Sequence, residues 1–247
     1  MNPYADFVMQ TDAAVGSILA ALEENGVSKE TLVIVTSDNG CSPQAKFEEL
    51  KEHGHNPSGP LRGHKADLFE GGHRVPLLVR WPGQGDAGKE SSKLVCLTDV
   101  LATISEVVGK PLPETAAEDS FSFLSALKTA EAKTGTKATA GRESLVSHSI
   151  NGSFAIRQGA WKLLLCPDSG GWSAPRPGSK PAAGLPPLQL YNLEDDLAER
   201  RNVASEHPEK VRELIALVEG VVRRGRSNPG PDRENAVPVE LRVPKWP

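Results

Sequence analysis

Apolar and polar positions alternate in a regular pattern at the start of the chain. Over residues 4–22, apolar side chains recur at spacings of three, four and seven, which predicts an amphipathic helix. Asn2 suits its cap, Pro3 its first turn and Gly26 its end. The apolar run that follows predicts a buried strand at about 31–37.

A long polar stretch separates this strand from the next apolar segments. Residues 40–72 show little periodicity and are rich in Gly, Pro, His and charge, so we expect loops with one short helix near 47–52. A second strand is predicted over 75–81, and a helix between Thr98, its cap, and Gly109, its end. This alternation predicts an α/β fold whose parallel or mixed sheet is covered by helices.

The pattern changes near residue 141. Short runs typical of strands occupy residues 144–150, 153–157, 161–166 and 188–191. A helix capped by Ser205 and ended by Gly225 follows, which predicts a small antiparallel sheet with one helix on a face. We therefore predict an α/β region in 1–140, an antiparallel α+β subdomain in 141–226 and an extended tail in 227–247.

Composition narrows the class of protein. The 247 residues are 38% hydrophobic and 24% charged, which is typical of a soluble globular chain. The net charge of −4 argues against nucleic-acid binding. No continuous apolar run approaches the roughly 18 residues that span a bilayer, and the first residues lack the charged-then-apolar pattern of a signal peptide, so we expect no membrane contact. Three scattered cysteines predict no disulfide framework.

The candidate chemistry begins where the first strand ends, at Asp38-Asn39-Gly40. Ligands of open α/β sheets bind beyond the carboxyl ends of strands, and Gly40 permits the turn that lets both side chains face one ion. A carboxylate and a carboxamide offer the hard oxygen atoms that Ca²⁺ or Mg²⁺ prefers. Asp-Asn-Gly is also an ordinary turn sequence, and this alternative stays open.

A second motif follows the first one at a defined spacing and makes it more specific. The chain reads T-S-D-N-G to Gly40, then P-L-R-G-x-K to Lys65, then E-G-G-x-R-V-P to Pro76. This ordered pattern resembles the sulfatases of the arylsulfatase type, in the alkaline phosphatase superfamily, and the resemblance extends over about residues 4–219. It implies a partial sulfatase-type mixed sheet flanked by helices, and an enzyme that hydrolyses sulfuric esters.

The resemblance also implies roles for individual residues. Asp38 and Asn39 match two family ligands of Ca²⁺, and Lys65 matches the lysine that contacts the sulfate oxygens. A compact ammonium and a divalent cation both suit an oxyanion. The alternative for Lys65 is a solvated surface lysine.

Three further side chains are weaker candidates for substrate binding. Arg62 either holds an active-site carboxylate or supports its loop. His55 and His64 could pass a proton to a leaving alcohol. The alternative for both histidines is a polar loop residue in water.

The family's nucleophile, a formylglycine made within C-x-P-S-R or S-x-P-S-R, has no motif here. Cys41 starts such a pattern, but Gln44 and Ala45 stand where Ser-Arg is needed, so we interpret Cys41 as a loop residue. The family's paired N-terminal aspartates also have no match. We therefore expect the C-terminal part of a sulfatase, lacking an N-terminal half and inactive alone.

Other functions remain open at this stage. A phosphate or phosphonate esterase of the same superfamily is one, although the segment Arg62–Lys65 matches the sulfatase pattern better. A non-catalytic remnant that recognises sulfated ligands is another. Family members are usually exported to the periplasm, the lysosome or the extracellular space, but the compartment of this chain cannot be read from its residues.

Overall fold

The computed structural model describes residues 2–85, 87–127, 141–244 and 246. Within these ranges the helices are Pro3–Glu24 (α1), Phe47–Glu52 (α2), Glu70–His73 (α3), Asp99–Val108 (α4), Leu124–Leu127 (α5) and Pro208–Arg224 (α6). The strands are Val33–Thr36 (β1), Leu77–Arg80 (β2), Ser144–His148 (β3), Phe154–Gln158 (β4), Trp161–Leu164 (β5) and Gln189–Asn192 (β6). Short 3₁₀ turns are formed by Ser28–Glu30, Pro43–Ala45 and Lys180–Ala182.

The two predicted strands of the N-terminal region pair with each other. β1 and β2 run antiparallel, from Val33 opposite Arg80 to Thr36 opposite Leu77. The α/β class is confirmed, but the described strands of this first sheet are antiparallel. The long connection between β1 and β2 brings the chain back beside β1 in the opposite direction, which sequence periodicity does not reveal.

Helix α1 begins as predicted and packs loosely. The Asn2 side chain accepts a hydrogen bond from the Ala5 amide at 3.1 Å and donates one to the Ala45 carbonyl at 2.9 Å. No residue of α1 itself is buried. Its 22 residues, with a mean hydropathy of 1.2 over the most apolar window, could cross a membrane by length and composition alone. The search for a continuous apolar run missed this because Gln10, Thr11 and Asp12 interrupt the apolar residues, whereas the hydropathy is a mean over the whole window.

The C-terminal region closes around its own core. Strands β3, β4, β5 and β6 form an antiparallel sheet in chain order. Helix α6 packs on this sheet through Val211, Leu214 and Val218, which are fully buried. The sequence predicted a cap at Ser205, but the helix begins at Pro208, directly after His207. Proline at the first helical position needs no amide partner, so the helix begins there without a side-chain cap.

A second buried cluster joins the two regions. It consists of Leu68, Phe69, Ala155, Leu164, Cys166, Tyr191 and Leu193. The first two lie in the glycine-rich segment after Arg62, and the others lie on or beside the C-terminal sheet. Because Leu68 and Phe69 are completely removed from solvent, the segment that carries Lys65 is anchored on that sheet.

Candidate functional site

The turn after β1 and the glycine-rich segment touch through their backbones. The Gly40 amide donates to the Gly72 carbonyl at 2.9 Å, and the Lys65 amide donates to the Cys41 carbonyl at 2.9 Å. A Cβ atom at Gly40 would lie 1.8 Å from the Gly71 carbonyl oxygen, so only glycine permits this approach. The structure therefore brings together the two motifs that the sequence placed 24 residues apart or more.

The predicted cation ligands lie on the rim of this contact. Asp38 is exposed and Asn39 is half-buried. The Asn39 amide group donates to the Gly40 carbonyl at 3.0 Å, so its Oδ1 is the atom that would meet a cation. Among the residues that the structure describes, no group of three or more His, Cys, Asp or Glu side chains is placed to hold a metal.

These two oxygen donors fit the chemistry of calcium but not its coordination number. Ca²⁺ takes six to eight oxygen ligands. Asp38 and Asn39 would therefore supply two of the oxygen ligands that the ion needs.

The loop around Lys65 is fixed by a buried carboxylate. Asp67 accepts hydrogen bonds from the amides of His64 at 2.9 Å, Trp172 at 2.7 Å and Ser173 at 3.0 Å, and from the Ser173 hydroxyl at 2.5 Å. Its side chain is completely buried. Lys65 is half-buried on the loop that these bonds hold.

The two candidate histidines are placed differently. The His64 ring packs against Phe47, with ring centroids 5.6 Å apart, and its Nδ1 lies 3.0 Å from the Lys65 carbonyl oxygen. His55 lies beyond α2 on an exposed stretch, with its amide bonded to Leu50. The contacts of His64 are thus with Lys65 and Phe47, whereas the described contact of His55 is with the end of α2.

Arg62 points into the interface with the C-terminal region. Its Nη1 donates to the Glu199 carbonyl at 2.6 Å and to the Tyr191 hydroxyl at 3.4 Å, and its Cζ lies 3.7 Å from the Phe69 ring centroid. The guanidinium also lines a cavity of about 460 Å³ that Arg200 borders. Of the two roles considered for Arg62, this geometry is that of a loop support.

An ionic cluster that sequence reasoning missed lies behind the loop. The Lys162 Nζ lies 3.0 Å from Glu70 Oε1, 2.9 Å from Glu199 Oε1 and 3.3 Å from His73 Nε2. Arg157 approaches Glu70 Oε2 at 3.3 Å. Arg74 also pairs with Glu70 Oε2, at 3.3 Å.

Burial and charge set the protonation states of this cluster. Burial alone would raise the pKa of Glu70, but attraction by Lys162, His73 and Arg157 outweighs it and holds that pKa at about 2. Burial, together with repulsion by Lys162, lowers the pKa of His73 to about 3. Burial raises the pKa of Glu199, while Lys162 opposes the shift. The cluster therefore holds Glu70 as a carboxylate and His73 as a neutral imidazole at neutral pH.

Cys41 has the surroundings of a structural residue. Burial raises the pKa of its thiol, and a hydrogen bond with Tyr4 only partly offsets this. A thiol that stays protonated is a poor nucleophile. These surroundings favour the interpretation of Cys41 as a loop residue.

Comparison with known proteins agrees with the motifs. The family model described as Sulfatase matches residues 1–110. The N-acetylgalactosamine-6-O-sulfatase of Bacteroides thetaiotaomicron is 35% identical over 228 residues, which are 89% of this chain and 42% of that protein. Human arylsulfatase A is 33% identical over 231 residues, which are 87% of this chain and 42% of that protein.

Solved structures share the fold. One from work on the metabolism of multiple glycosaminoglycans by Bacteroides thetaiotaomicron aligns with a TM-score of 0.72 and 35% identity, over 87% of this chain and 44% of that one. The PsFucS1 sulfatase from Pseudoalteromonas sp. aligns with a TM-score of 0.66 and 24% identity, over 89% of this chain and 42% of that one, and supports the fold alone.

The extent of these matches is uneven. They cover most of this chain, but the chain spans about 42% of the length of the first two curated relatives named above. The T-S-D-N-G and E-G-G-x-R-V-P motifs both lie within residues 1–110, where the family model matches. In sequence and in fold, the chain is a relative of the sulfatases.

Proposed function

We propose that this chain forms the cation-binding and sulfate-binding side of a sulfuric ester hydrolase. The observation that carries the proposal is the backbone contact between two motifs: the Lys65 amide bonds to Cys41, and the Gly40 amide bonds to Gly72. This contact brings the backbone of Lys65 beside the turn that carries Asp38 and Asn39, which supports a role for the three side chains at one site. A sulfate group needs both an ammonium and a bound cation at one point.

In this proposal Lys65 carries the chemistry of this chain. Its ammonium meets the sulfate oxygens and stabilises negative charge as the bond to the alcohol oxygen breaks. Asp38 and Asn39 contribute two ligands to Ca²⁺, which polarises the sulfate when bound. The nucleophile and the remaining ligands come from residues outside this sequence.

The names of the relatives guide the choice of substrates. They include an N-acetylgalactosamine-6-O-sulfatase, an arylsulfatase and a steryl-sulfatase, with identities between 31% and 35%. Because these identities are so similar, they do not indicate which alcohol the sulfate ester substrate contains. The panel for testing is therefore an aryl sulfate, N-acetylgalactosamine 6-sulfate and a steroid sulfate.

A second candidate function is non-catalytic recognition of sulfated ligands. The observation that favours it is the lack of a formylglycine motif among the 247 residues. In that case the 247-residue chain binds a sulfated ligand through Lys65 but does not turn it over. Either function predicts no hydrolysis of an aryl sulfate by the chain alone, even when it is co-expressed with a formylglycine-generating enzyme.

The test joins this chain to the part of the Bacteroides relative that it does not match, which we expect to be its N-terminal half. With calcium saturating, Lys65→Ala should lower kcat by about 10²–10³, which corresponds to roughly 3–4 kcal/mol. His64→Ala should cost far less, because its ring already packs on Phe47. Lys51→Ala is the matched control, since Lys51 is an exposed lysine that pairs with Glu48.

Three results would contradict the catalytic proposal. One is a fused protein that hydrolyses none of the sulfates although it is folded and carries formylglycine. Another is a Lys65→Ala variant as active as Lys51→Ala. The third is phosphate monoester hydrolysis that is faster than sulfate ester hydrolysis, which would favour a phosphate esterase of the same superfamily.

A further inference from the structure

The loop that carries Lys65 is held at both ends by one residue of the C-terminal region. The Glu199 carbonyl accepts a hydrogen bond from Arg62 Nη1 at 2.6 Å, and the Glu199 carboxylate accepts one from the Glu70 amide at 2.6 Å. Glu199 itself is fully buried. Lys65 lies between the two points of attachment, three residues from one and five from the other.

A buried lysine keeps this carboxylate in place. The Lys162 Nζ lies between Glu199 Oε1 at 2.9 Å and Glu70 Oε1 at 3.0 Å, and only 1% of the lysine is exposed. Without that ammonium, two buried carboxylates would face each other, which is strongly unfavourable. The positive charge of Lys162 therefore offsets the repulsion between the two carboxylates where Glu199 meets Glu70.

The backbone of Glu199 shows that its position is specified by these contacts. Its φ of 51° is in the left-handed region, which a residue with a long side chain rarely adopts. This conformation lets the carbonyl and the carboxylate of one residue reach different ends of the loop. Contacts on both sides are needed to hold such a conformation.

We propose that Glu199 and Lys162 are positioning residues for Lys65, so that the C-terminal region sets the place of the sulfate contact. The proposal rests on the proposed function for the role of Lys65, whereas the attachment itself does not depend on it. A displacement of about 1 Å in a reacting group can cost roughly 10²-fold in rate. Loss of the attachment should therefore lower kcat and leave KM nearly unchanged.

The first measurement is amide hydrogen exchange in the 247-residue chain. Glu199→Ala removes the carboxylate but keeps the carbonyl that Arg62 bonds, so exchange at the Glu70 amide should accelerate at least tenfold and exchange at the Lys65 amide less strongly, while amides of β5 and β6 change less than twofold. Glu199→Gln keeps an acceptor oxygen and should restore most of the protection. Glu206→Gln is the matched control, because Glu206 is a surface glutamate paired with Arg201.

The second measurement is kinetics in the fused enzyme described above. Glu199→Ala should lower kcat at least tenfold with KM within twofold, and Glu199→Gln should recover most of the loss. Leu214→Ala destabilises the core without touching the loop and should leave kcat unchanged at a temperature where it is folded.

The two measurements separate the possible failures. Unchanged exchange at Lys65 and Glu70, or equal acceleration throughout the C-terminal sheet, would overturn the attachment. Faster local exchange with an unchanged kcat would overturn the positioning role. If the unsubstituted fusion has no sulfatase activity, the proposed function fails, and the exchange result alone decides whether Glu199 holds the loop.

Discussion

The first and the last helix of the chain differ in how far their apolar residues are buried. Helix α6 buries Val211, Leu214 and Val218 against a four-stranded sheet. Helix α1 is five residues longer and buries none of its residues, and Phe7 remains 66% exposed. Helix α4 likewise leaves Leu101 half-exposed.

The difference shows that a periodic apolar face specifies a helix but not its partner. The sheet behind α6 has four strands, whereas the described sheet of the N-terminal region has two. A two-stranded ribbon offers too little surface to cover a helix of 22 residues. The exposed apolar residues of α1, β2 and α4 are thus a surface that favours association.

The largest effect is expected from a substitution in the core of the C-terminal region. Leu214→Ala should lower the free energy of unfolding by about 2–5 kcal/mol, because it removes buried methyl groups and leaves a cavity. Leu101→Ala, at a site 51% exposed, should change it by less than about 0.5 kcal/mol. Denaturant unfolding of both variants measures the contrast, and equal losses would show that α4 is as well packed as α6.

The next largest effect concerns self-association of the chain through the exposed apolar residues of α1. We expect the chain to self-associate, and replacing Phe7 and Met9 with Gln should raise the dissociation constant at least tenfold, since burying one such side chain contributes about 1.5–3 kcal/mol. Light scattering over a dilution series measures this, with Lys51→Gln as the surface control. A monodisperse monomer before any substitution would refute the prediction.

A smaller effect is expected from pH. The pKa of His73 is lowered to about 3 in the folded chain, so the folded state favours the neutral ring. A lowered pKa contributes stability that is complete above the unfolded value, near 6.5, and is lost as the pH falls towards 3. The groups facing this ring are Glu70, Lys162 and Arg157.

Between pH 7 and pH 5 the loss should be about 1–2 kcal/mol, reduced by the partial exposure of the ring. The pKa of Glu70, lowered to about 2, adds a further loss that begins only below about pH 4.5. Thermal unfolding at several pH values measures both. His73→Gln should flatten the profile between pH 7 and pH 5, and an unchanged slope would place the titrating group elsewhere.

The smallest effect is expected from calcium. Asp38 and Asn39 are only two ligands and cannot hold the ion tightly, so millimolar Ca²⁺ should leave the midpoint of unfolding almost unchanged. Calorimetry and thermal unfolding, with and without a chelator, measure this. A rise of several degrees that disappears in Asp38→Ala would mean that this chain supplies more ligands than the two named here.

Local signals predicted most of the described elements, whereas the expectation that the two motifs serve one site came from the resemblance to the sulfatases. Helices α1, α2 and α4 and the six strands of the described residues lie where periodicity and turn residues put them, with ends shifted by a few residues. Glycine at position 71, in the short helix α3, permits the close passage of this segment beside Gly40 and Gly63.

Two features lay beyond the reach of sequence reasoning. The antiparallel pairing of β1 with β2 depends on the path of the long connection between them. The cluster of Glu70, Lys162 and Glu199 joins residues 92 and 129 positions apart, and nothing in a strand pattern marks Lys162 as a buried charge. Long-range ion pairs leave no periodic signal, so a single sequence does not predict them.

The glycine seam between residues 40 and 71 has a consequence for protein engineering. A Cβ atom at Gly40 would overlap the Gly71 carbonyl, and one at Gly71 would lie 2.4 Å from the Gly63 carbonyl oxygen. Each of these substitutions forces two backbones apart at once, so no neighbouring side chain can compensate by adopting another rotamer. In a library of random variants selected for a folded chain, positions 40, 63 and 71 should be depleted of substitutions together, while Gly16 and Gly26 in and after α1, which have open space around them, should differ from each other only through the left-handed backbone of Gly26.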